Sequence, residues 1–301
     1  MKKKKPFNLA DFKKQLSSPS RKKAKKKVAK KKVVYEDHIV AFIDLLGFSK
    51  KIEKLNKKDS IKEIENLEWI MDKVVNPSRP SKIKANYFSD CICLSEELPK
   101  KDSENYLDTV FYFLLDLIHI QGELIFQGVL VRGGVSIDRH YSSDRLIFSK
   151  GLLKSYFIES KKAFNPVIML DDSVYEKIIK FHEKNPGGYF NKNHYLSKVN
   201  SLLSLSIELP EGDHVLNYLS FWREVDDPSY IIPYFKKHKG IIETSAKEFK
   251  NNKAVLLKYK WMASYHNYYL LKAYKLDKSA QKDLLIDTKS IFGDFSLPKV
   301  G

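Results

Sequence analysis

Two short apolar runs, each closed by an aspartate, limit the folds open to this chain more than any other feature. Residues 38–43 lead into Asp44, while residues 83–88 reach Asp90 after one serine and an apolar segment follows at 91–94. Such runs predict buried β-strands, and the strands at 83–88 and 91–94 are expected to form a hairpin. A carboxylate at the tip of a buried strand costs desolvation energy unless a cation or hydrogen bonds compensate for it. If strand pairing brings the two aspartates together, they form a site for Mg²⁺ or Mn²⁺, which prefer oxygen ligands.

The basic charge of the chain is concentrated at its N-terminus. The 301 residues carry a formal net charge of +17, and residues 1–33 contain fifteen Lys or Arg against one Asp. This composition predicts a disordered Lys-rich tail, because few apolar residues are available to offset the self-repulsion. Two interpretations stay open: non-specific attraction to nucleic acid or an anionic surface, or a solubilising extension.

Cysteine usage and hydropathy predict a cytoplasmic protein. The only cysteines, Cys91 and Cys93, lie two apart on one predicted strand and so point to the same face, a poor geometry for a disulfide. We interpret them as small buried hydrophobic residues in a reducing compartment, with metal binding as a minor alternative. The sequence predicts no signal peptide and no transmembrane segment.

The remaining periodicity predicts alternating helices and strands. Helices are expected over 48–74 (with a break at Asp59-Ser60), 104–121, 151–162 and 171–184, and further strands at 123–126, 129–137, 146–148 and 167–170. This order predicts an α/β sandwich of the α+β class, with helices on a mostly antiparallel sheet built around a β-α-β-β-α-β core.

The chain is expected to divide into the tail, a core domain over 36–184 and a C-terminal extension over 185–301. The extension reads as strand-biased at first and then helical, with one long helix or a helix pair over 235–275. That helical part is rich in aromatic residues. Core packing explains them by default, and burial in a dimer interface is the alternative.

Three segments in order resemble the class III nucleotidyl cyclase superfamily: residues 42–49, residues 88–92, and residues 131–137 continuing to 151–159. Their form looks most like the divergent bacterial branch that includes the Pycsar pyrimidine cyclases of phage defence. The resemblance implies a ferredoxin-like cyclase core over about residues 36–180 and a homodimer. It also implies conversion of an NTP, with CTP or UTP as candidates, to a 3′,5′-cyclic mononucleotide signal.

The resemblance also implies roles for individual residues. Asp44 and Asp90 match the two catalytic aspartates that bind Mg²⁺ or Mn²⁺. Arg132, beside a glycine pair, is the candidate catalytic cation, with an ion pair to a core carboxylate as an equal alternative. The backbone amides of residues 45–48 are expected to face the triphosphate at the start of a helix, so the substrate-binding candidates are Leu45, Leu46, Gly47, Phe48 and Ser49.

The sequence departs from the cyclase pattern at four positions. Leu153 and Phe157 stand where familiar purine cyclases have an Asn and an Arg that act on the transition state, and Asp138 and Ser149 replace expected glycines. Two functions therefore stay open. One is a metal-dependent cyclase, and the other is a degenerate cyclase-fold module that binds nucleotide or nucleic acid, with the basic tail as its anchor.

Overall fold

The computed structural model describes residues 33–48, 53, 56–75, 82–100, 105–143, 145–176, 204–224 and 227–293. Ser49, nearly all of the Lys-rich tail and the predicted boundary at 184–185 lie outside these residues. From Tyr35 onward the chain forms one compact unit.

Within the described residues, eight strands form a single mixed sheet. They are β1 Glu36–Leu45, β2 Lys84–Phe88, β3 Cys91–Glu97, β4 Val131–Ser142, β5 Ile147–Ser149, β6 Ile168–Leu170, β7 Ser206–Glu208 and β8 His214–Leu216. The order across the sheet is β2-β3-β1-β4-β6-β8-β7, and β5 pairs with β4. Every pairing is antiparallel except that of β4 with β6, so the prediction of a mostly antiparallel sheet is confirmed.

Seven α-helices lie within the described residues. They are α1 Lys57–Val75, α2 Asn105–Phe126, α3 Lys150–Phe157, α4 Ile231–Glu248, α5 Lys253–Tyr268, α6 Lys278–Leu284 and α7 Thr288–Phe292. Along the chain the first part runs β1-α1-β2-β3-α2-β4, and its strands lie in the order β2-β3-β1-β4. This is the ferredoxin-like arrangement, because each helical crossover leaves room for one strand between the two strands it joins. The predicted fold class is confirmed.

One predicted strand is wrong. Residues 123–126 continue α2, which runs through Gly122 to Phe126. The sequence suggests a break because glycine is a poor helix former. The structure gives Gly122 another role: a Cβ there would lie 2.3 Å from the Phe221 ring. The glycine therefore allows the aromatic ring to pack against the helix.

The central strand β1 is buried on both faces. Ile39, Ala41, Ile43 and Leu45 belong to the main hydrophobic core, which α2 also builds. The alternate residues face α3, since a Cβ on Gly151 would lie 2.9 Å from the Val40 side chain and the Phe42 and Tyr156 rings meet edge-on with centroids 5.4 Å apart. Two-sided burial explains why the strand reads as a continuous apolar run.

The glycine pair of β4, Gly133 and Gly134, allows this close packing. A Cβ on Gly134 would lie 2.4 Å from the Ser155 carbonyl oxygen, and one on Gly133 would lie 2.7 Å from the Phe42 carbonyl oxygen. Of the interpretations open for glycines within a strand, close approach of another backbone is the one that the structure supports.

The C-terminal helices pack on the same core. The predicted helix pair is present as α4 and α5, and α5 continues as a π-helical turn, Tyr269–Ala273. Trp261, Tyr265 and Tyr269 are at most 6% exposed. Core packing, the default interpretation, therefore accounts for these aromatic residues.

Helix α2 is long and apolar enough to cross a membrane by length and composition alone, which the sequence analysis did not anticipate. In this structure 61% of its most apolar window is buried inside the protein. Core helices of soluble proteins share that composition, so the helix is weak evidence for a membrane span.

Candidate metal centre

Three polar side chains lie in one row across neighbouring strands. In the sheet register Asp44 of β1 stands opposite Cys91 of β3 on one side and Arg132 of β4 on the other. Paired residues point to the same face of a sheet, here the face that α3 covers. The pairing thus assembles residues that are far apart in the sequence.

Asp90 joins this row from the β2–β3 hairpin. The turn is held by Ser89, whose φ of 57° lies in the left-handed region, and by the Leu45 amide, which donates to the Asp90 carbonyl at 2.9 Å. Ligand atoms of Asp44, Asp90 and Cys91 all lie within 4.8 Å of one another. The expectation that the two strand-end carboxylates converge is confirmed.

Cys91 differs from the sequence interpretation. Cys93 is fully buried as expected, but Cys91 is only half-buried. Its sulfur lies 3.9 Å from an Asp44 carboxylate oxygen and 3.8 Å from one of Asp90. Burial and these neighbouring carboxylates raise the pKa of the Cys91 thiol to about 12. It is therefore a neutral thiol that donates toward the acidic pair.

Asp44 lies in an environment that disfavours its charge. Burial raises the pKa of its carboxyl group first, and the negative charges of Glu159 and Asp90 raise it further, while Arg132 lowers it. Like charges held close together disfavour ionisation. A bound cation would relieve this repulsion.

Arg132 is held mainly by Glu159, a buried residue in the π-helical turn Ile158–Lys162 that follows α3. Its Nε donates to Glu159 Oε1 at 2.7 Å, its Nη2 pairs with the same oxygen, and Nη2 lies 3.6 Å from Asp44 Oδ2. The ion-pair alternative for Arg132 is therefore present in the structure. A catalytic role for the residue stays a prediction.

The carboxylate pair opens onto a cavity of about 490 Å³. One wall is formed by the predicted substrate-binding segment Leu45–Phe48 together with Gly128 and Leu130. The C-terminal helices and their connection supply most of the remaining lining residues, which are Ile241, Ser245, Phe249, Val255, Lys258 and Tyr259. Phe249 and Tyr259 have nearly parallel rings with centroids 6.2 Å apart.

Two of the backbone amides expected to face a triphosphate are already engaged. The Leu45 amide donates to Asp90, as above, and the Leu46 amide donates to the Leu130 carbonyl at 2.9 Å. These two amides are not available to a triphosphate in this structure, because β1 extends through Leu45 and its end is tied to the hairpin. Gly47, whose φ is +79°, and Phe48 stay candidates, Ser49 lies outside the described residues, and a substrate-binding role for residues 45–49 stays a prediction.

Lys258 is a cation of the cavity that the sequence analysis missed. It is half-buried on α5, and its pKa is lowered by burial first and then by Arg132. No local pattern could indicate it, since it follows Asp90 by more than 160 residues. Glu159 was equally unassigned, although it closes a segment that carries the cyclase resemblance.

The positions that depart from the cyclase pattern have other roles in this structure. Ser149 caps α3 by accepting from the Leu152 amide at 2.8 Å, and Asp138 pairs with Lys154 at 2.7 Å. Leu153 and Phe157 are 69% and 55% exposed on the outer face of α3. They leave an apolar surface where the resemblance implies polar groups.

Comparisons with solved structures find cyclase domains at low similarity. The catalytic core of a rhodopsin-guanylyl cyclase with converted specificity, in complex with ATPαS, matches at 16% identity and a TM-score of 0.37, covering 61% of this chain and 96% of that chain. The monomeric guanylyl cyclase domain of RhoGC from the aquatic fungus Blastocladiella emersonii matches at 14% identity and a TM-score of 0.37, covering 61% and 95%.

A class III adenylyl cyclase-like ATP-binding protein from Pseudomonas aeruginosa matches at 8% identity and a TM-score of 0.38, covering 55% of this chain and 40% of that chain. No protein-family model matches the sequence, and no curated protein matches it. Because these TM-scores are low, the fold assignment rests on the strand order and the site on its own geometry.

Proposed function

We propose that this protein is a metal-dependent nucleotidyl cyclase. The observation that carries the proposal is the convergence of Asp44 and Asp90 at the ends of neighbouring strands, with ligand atoms within 4.8 Å of one another and facing a cavity of about 490 Å³. CTP and UTP are the first candidate substrates, and a cyclic mononucleotide signal in antiphage defence is the biological role that the sequence resemblance suggests.

The donor set fits a divalent cation. Asp44 and Asp90 supply hard oxygen ligands. Burial first, and then the neighbouring carboxylates, raise the pKa of Asp44, and a divalent cation would offset both effects. We assign Mg²⁺ or Mn²⁺ to these two residues. When bound, the ion would supply electrostatic stabilisation of the phosphates and a lower pKa for the ribose 3′-hydroxyl.

In this reaction the ribose 3′-oxygen bonds to the α-phosphorus and the bond from that phosphorus to the bridging oxygen of the pyrophosphate breaks. The hydroxyl proton leaves to solvent, and pyrophosphate is the leaving group. The protein's own contribution is positioning. Glu159 holds Arg132 against Asp44, and the β2–β3 hairpin holds Asp90, so the carboxylates are fixed before the substrate arrives.

The direct test is incubation of the full chain with each of the four NTPs and either Mn²⁺ or Mg²⁺, with products identified by mass spectrometry. A 3′,5′-cyclic mononucleotide that forms only with metal is the expected product. Binding of NTP and metal without any product would favour the second candidate.

That second candidate is a nucleotide-binding module without turnover. It is favoured by exposed apolar Leu153 and Phe157 at the positions of the expected transition-state residues, and by the engagement of Arg132 with Glu159. In this alternative the Lys-rich tail, residues 1–33, anchors the module to nucleic acid or an anionic surface.

A homodimer and a cytoplasmic location complete the proposal. Leu153, Tyr156 and Phe157 share the outer face of α3 and are each more than half exposed. Contiguous exposed apolar side chains often mark protein interfaces. Sedimentation velocity of the full chain and of Leu153→Asp tests whether this face holds two copies together.

A further inference from the structure

The cavity at the carboxylate pair is closed within one chain by two distant parts of the sequence. Asp44 and Asp90, at the end of the sheet, and Lys258, on α5, line the same cavity. Both walls belong to the same compact unit. The C-terminal helices therefore contribute side chains to the site itself.

Lys258 is unusual among the lysines of these helices. It is half-buried, and no carboxylate among the described residues lies within ion-pair distance of its ammonium group. The carboxylates of Asp44 and Glu159 act on its charge from beyond that distance, yet burial and Arg132 still lower its pKa. Withdrawing a cation even partly from water without a direct ionic partner is costly. Such a group beside a cavity is explained if an anion occupies that cavity.

The balance of charges around the cavity also favours a bound anion. Three carboxylates, those of Asp44, Asp90 and Glu159, face two cations, Arg132 and Lys258, of which Arg132 is already held by Glu159. Once the carboxylate pair holds a divalent cation, the local formal charge changes from one negative to one positive. The loaded site would then attract an anion, and Lys258 is the cation not already paired within this group.

We propose that Lys258 binds the polyphosphate of the nucleotide, so that the C-terminal helices complete the substrate site within a single chain. This inference rests on the proposed function for its ligand class. The ammonium of Lys258 donates to non-bridging phosphate oxygens in the cavity that the carboxylate pair also lines. The apolar residues beside it, including the ring pair Phe249 and Tyr259, leave room for the nucleoside.

The test uses the full chain and inorganic tripolyphosphate, which carries the phosphate chemistry without a base. Binding is measured by titration calorimetry at physiological salt, with and without Mn²⁺, and the Mn²⁺-dependent component is taken because the Lys-rich tail contributes equally in every variant. Lys258→Met keeps the apolar stem and removes the charge. Its tripolyphosphate affinity should fall about tenfold to a hundredfold, the usual worth of a hydrogen bond to a charged group.

Three comparisons make the result specific. Lys258→Met should bind Mn²⁺ alone as the unchanged protein does, and Lys258→Arg should recover most of the tripolyphosphate affinity. Lys253→Met, at the exposed first residue of the same helix, should bind Mn²⁺ and tripolyphosphate as the unchanged protein does. Melting temperatures of all variants check that the fold is kept.

The inference is overturned if Lys258→Met binds tripolyphosphate as tightly as the unchanged protein does, or if the unchanged protein shows no Mn²⁺-dependent binding. Failure of the proposed function has a different signature. Tripolyphosphate binding that depends on both Mn²⁺ and Lys258, without cyclic product from any NTP, would keep the phosphate site and reject the cyclase activity.

Discussion

Two polar clusters in this chain handle charge in opposite ways. At the sheet end, Asp44, Asp90 and Glu159 crowd around Arg132 beside an open cavity, and the pKa of Asp44 is raised. Among the C-terminal helices, His238 and His266 are fully buried, and burial lowers the pKa of both. The first cluster keeps its charge close to solvent, whereas the second excludes charge altogether.

The histidine cluster is satisfied by a single arrangement of protons. His266 Nε2 lies 2.9 Å from the Leu284 carbonyl, which can only accept, so His266 Nδ1 must accept from His238 Nδ1 at 2.9 Å. His238 Nε2 then accepts from the Tyr218 hydroxyl at 3.0 Å. Every donor meets an acceptor, as stable buried networks require. The charges of the acidic cluster are not balanced in this way. We therefore assign function to the acidic cluster and a structural role to the histidines.

The largest expected effect concerns the acidic cluster. Asp44→Asn should reduce cyclic nucleotide formation by at least about 100-fold, because loss of a metal ligand exceeds the usual cost of losing a residue that only supports one. Folding should be unaffected or slightly more stable, since the substitution relieves repulsion. Product formation by mass spectrometry and the melting temperature check both parts. The exposed control Asp283→Asn should change neither, and full turnover by Asp44→Asn would reject the catalytic assignment.

The histidine cluster should show the reverse pattern. His238→Ala should lower the free energy of unfolding by about 2–5 kcal/mol, because it leaves a cavity and strands the Tyr218 hydroxyl and His266 Nδ1 without partners. Urea unfolding measures the loss. Lys236→Ala, exposed on the same helix, should cost less than about 0.5 kcal/mol. If His238→Ala cost as little as is expected for Lys236→Ala, the network would not stabilise the helices.

The contrast also explains what the sequence could predict. Asp44 and Asp90 were found because strand patterning and turn residues are local signals. Glu159 and Lys258 carry no such signal, since only the packing of α3 and α5 brings them to the site. Gly122 misled the prediction for a related reason: its role is set by Phe221, about a hundred residues later.

The buried histidines and the acidic cluster should respond to acid with opposite sign. His266, and His140, a buried residue of β4, have pKa values lowered to about 4 in the folded protein, below the ordinary value near 6.5. Burial also lowers the pKa of His238. The unfolded chain therefore binds more protons, and stability should fall as pH drops from about 6.5 to about 4. The slope is ~1.4 kcal/mol per pH unit for each histidine. Asp44, with a raised pKa, opposes this loss because its protonation favours the folded state.

Urea unfolding across this pH range tests whether stability falls as the pH drops and whether Asp44 opposes that fall. His140→Gln should reduce the slope by removing one of the three histidines with lowered pKa values, while Asp44→Asn should steepen the loss at the acid end by removing the opposing group. A stability that rises as pH falls through this range would contradict the assignment of neutral buried histidines.

Deleting the Lys-rich tail is expected to have the smallest effect on either cluster. Deleting residues 1–33 should leave the melting temperature unchanged, because so polar a segment has little apolar surface to bury. It should weaken binding to nucleic acid and flatten the salt dependence, since lysines that neutralise phosphates release condensed counterions. Affinities of the full and shortened chains for one DNA duplex across a salt series measure this. Equal affinities and equal slopes would identify the tail as a solubilising extension and remove the main support for nucleic-acid binding by this protein.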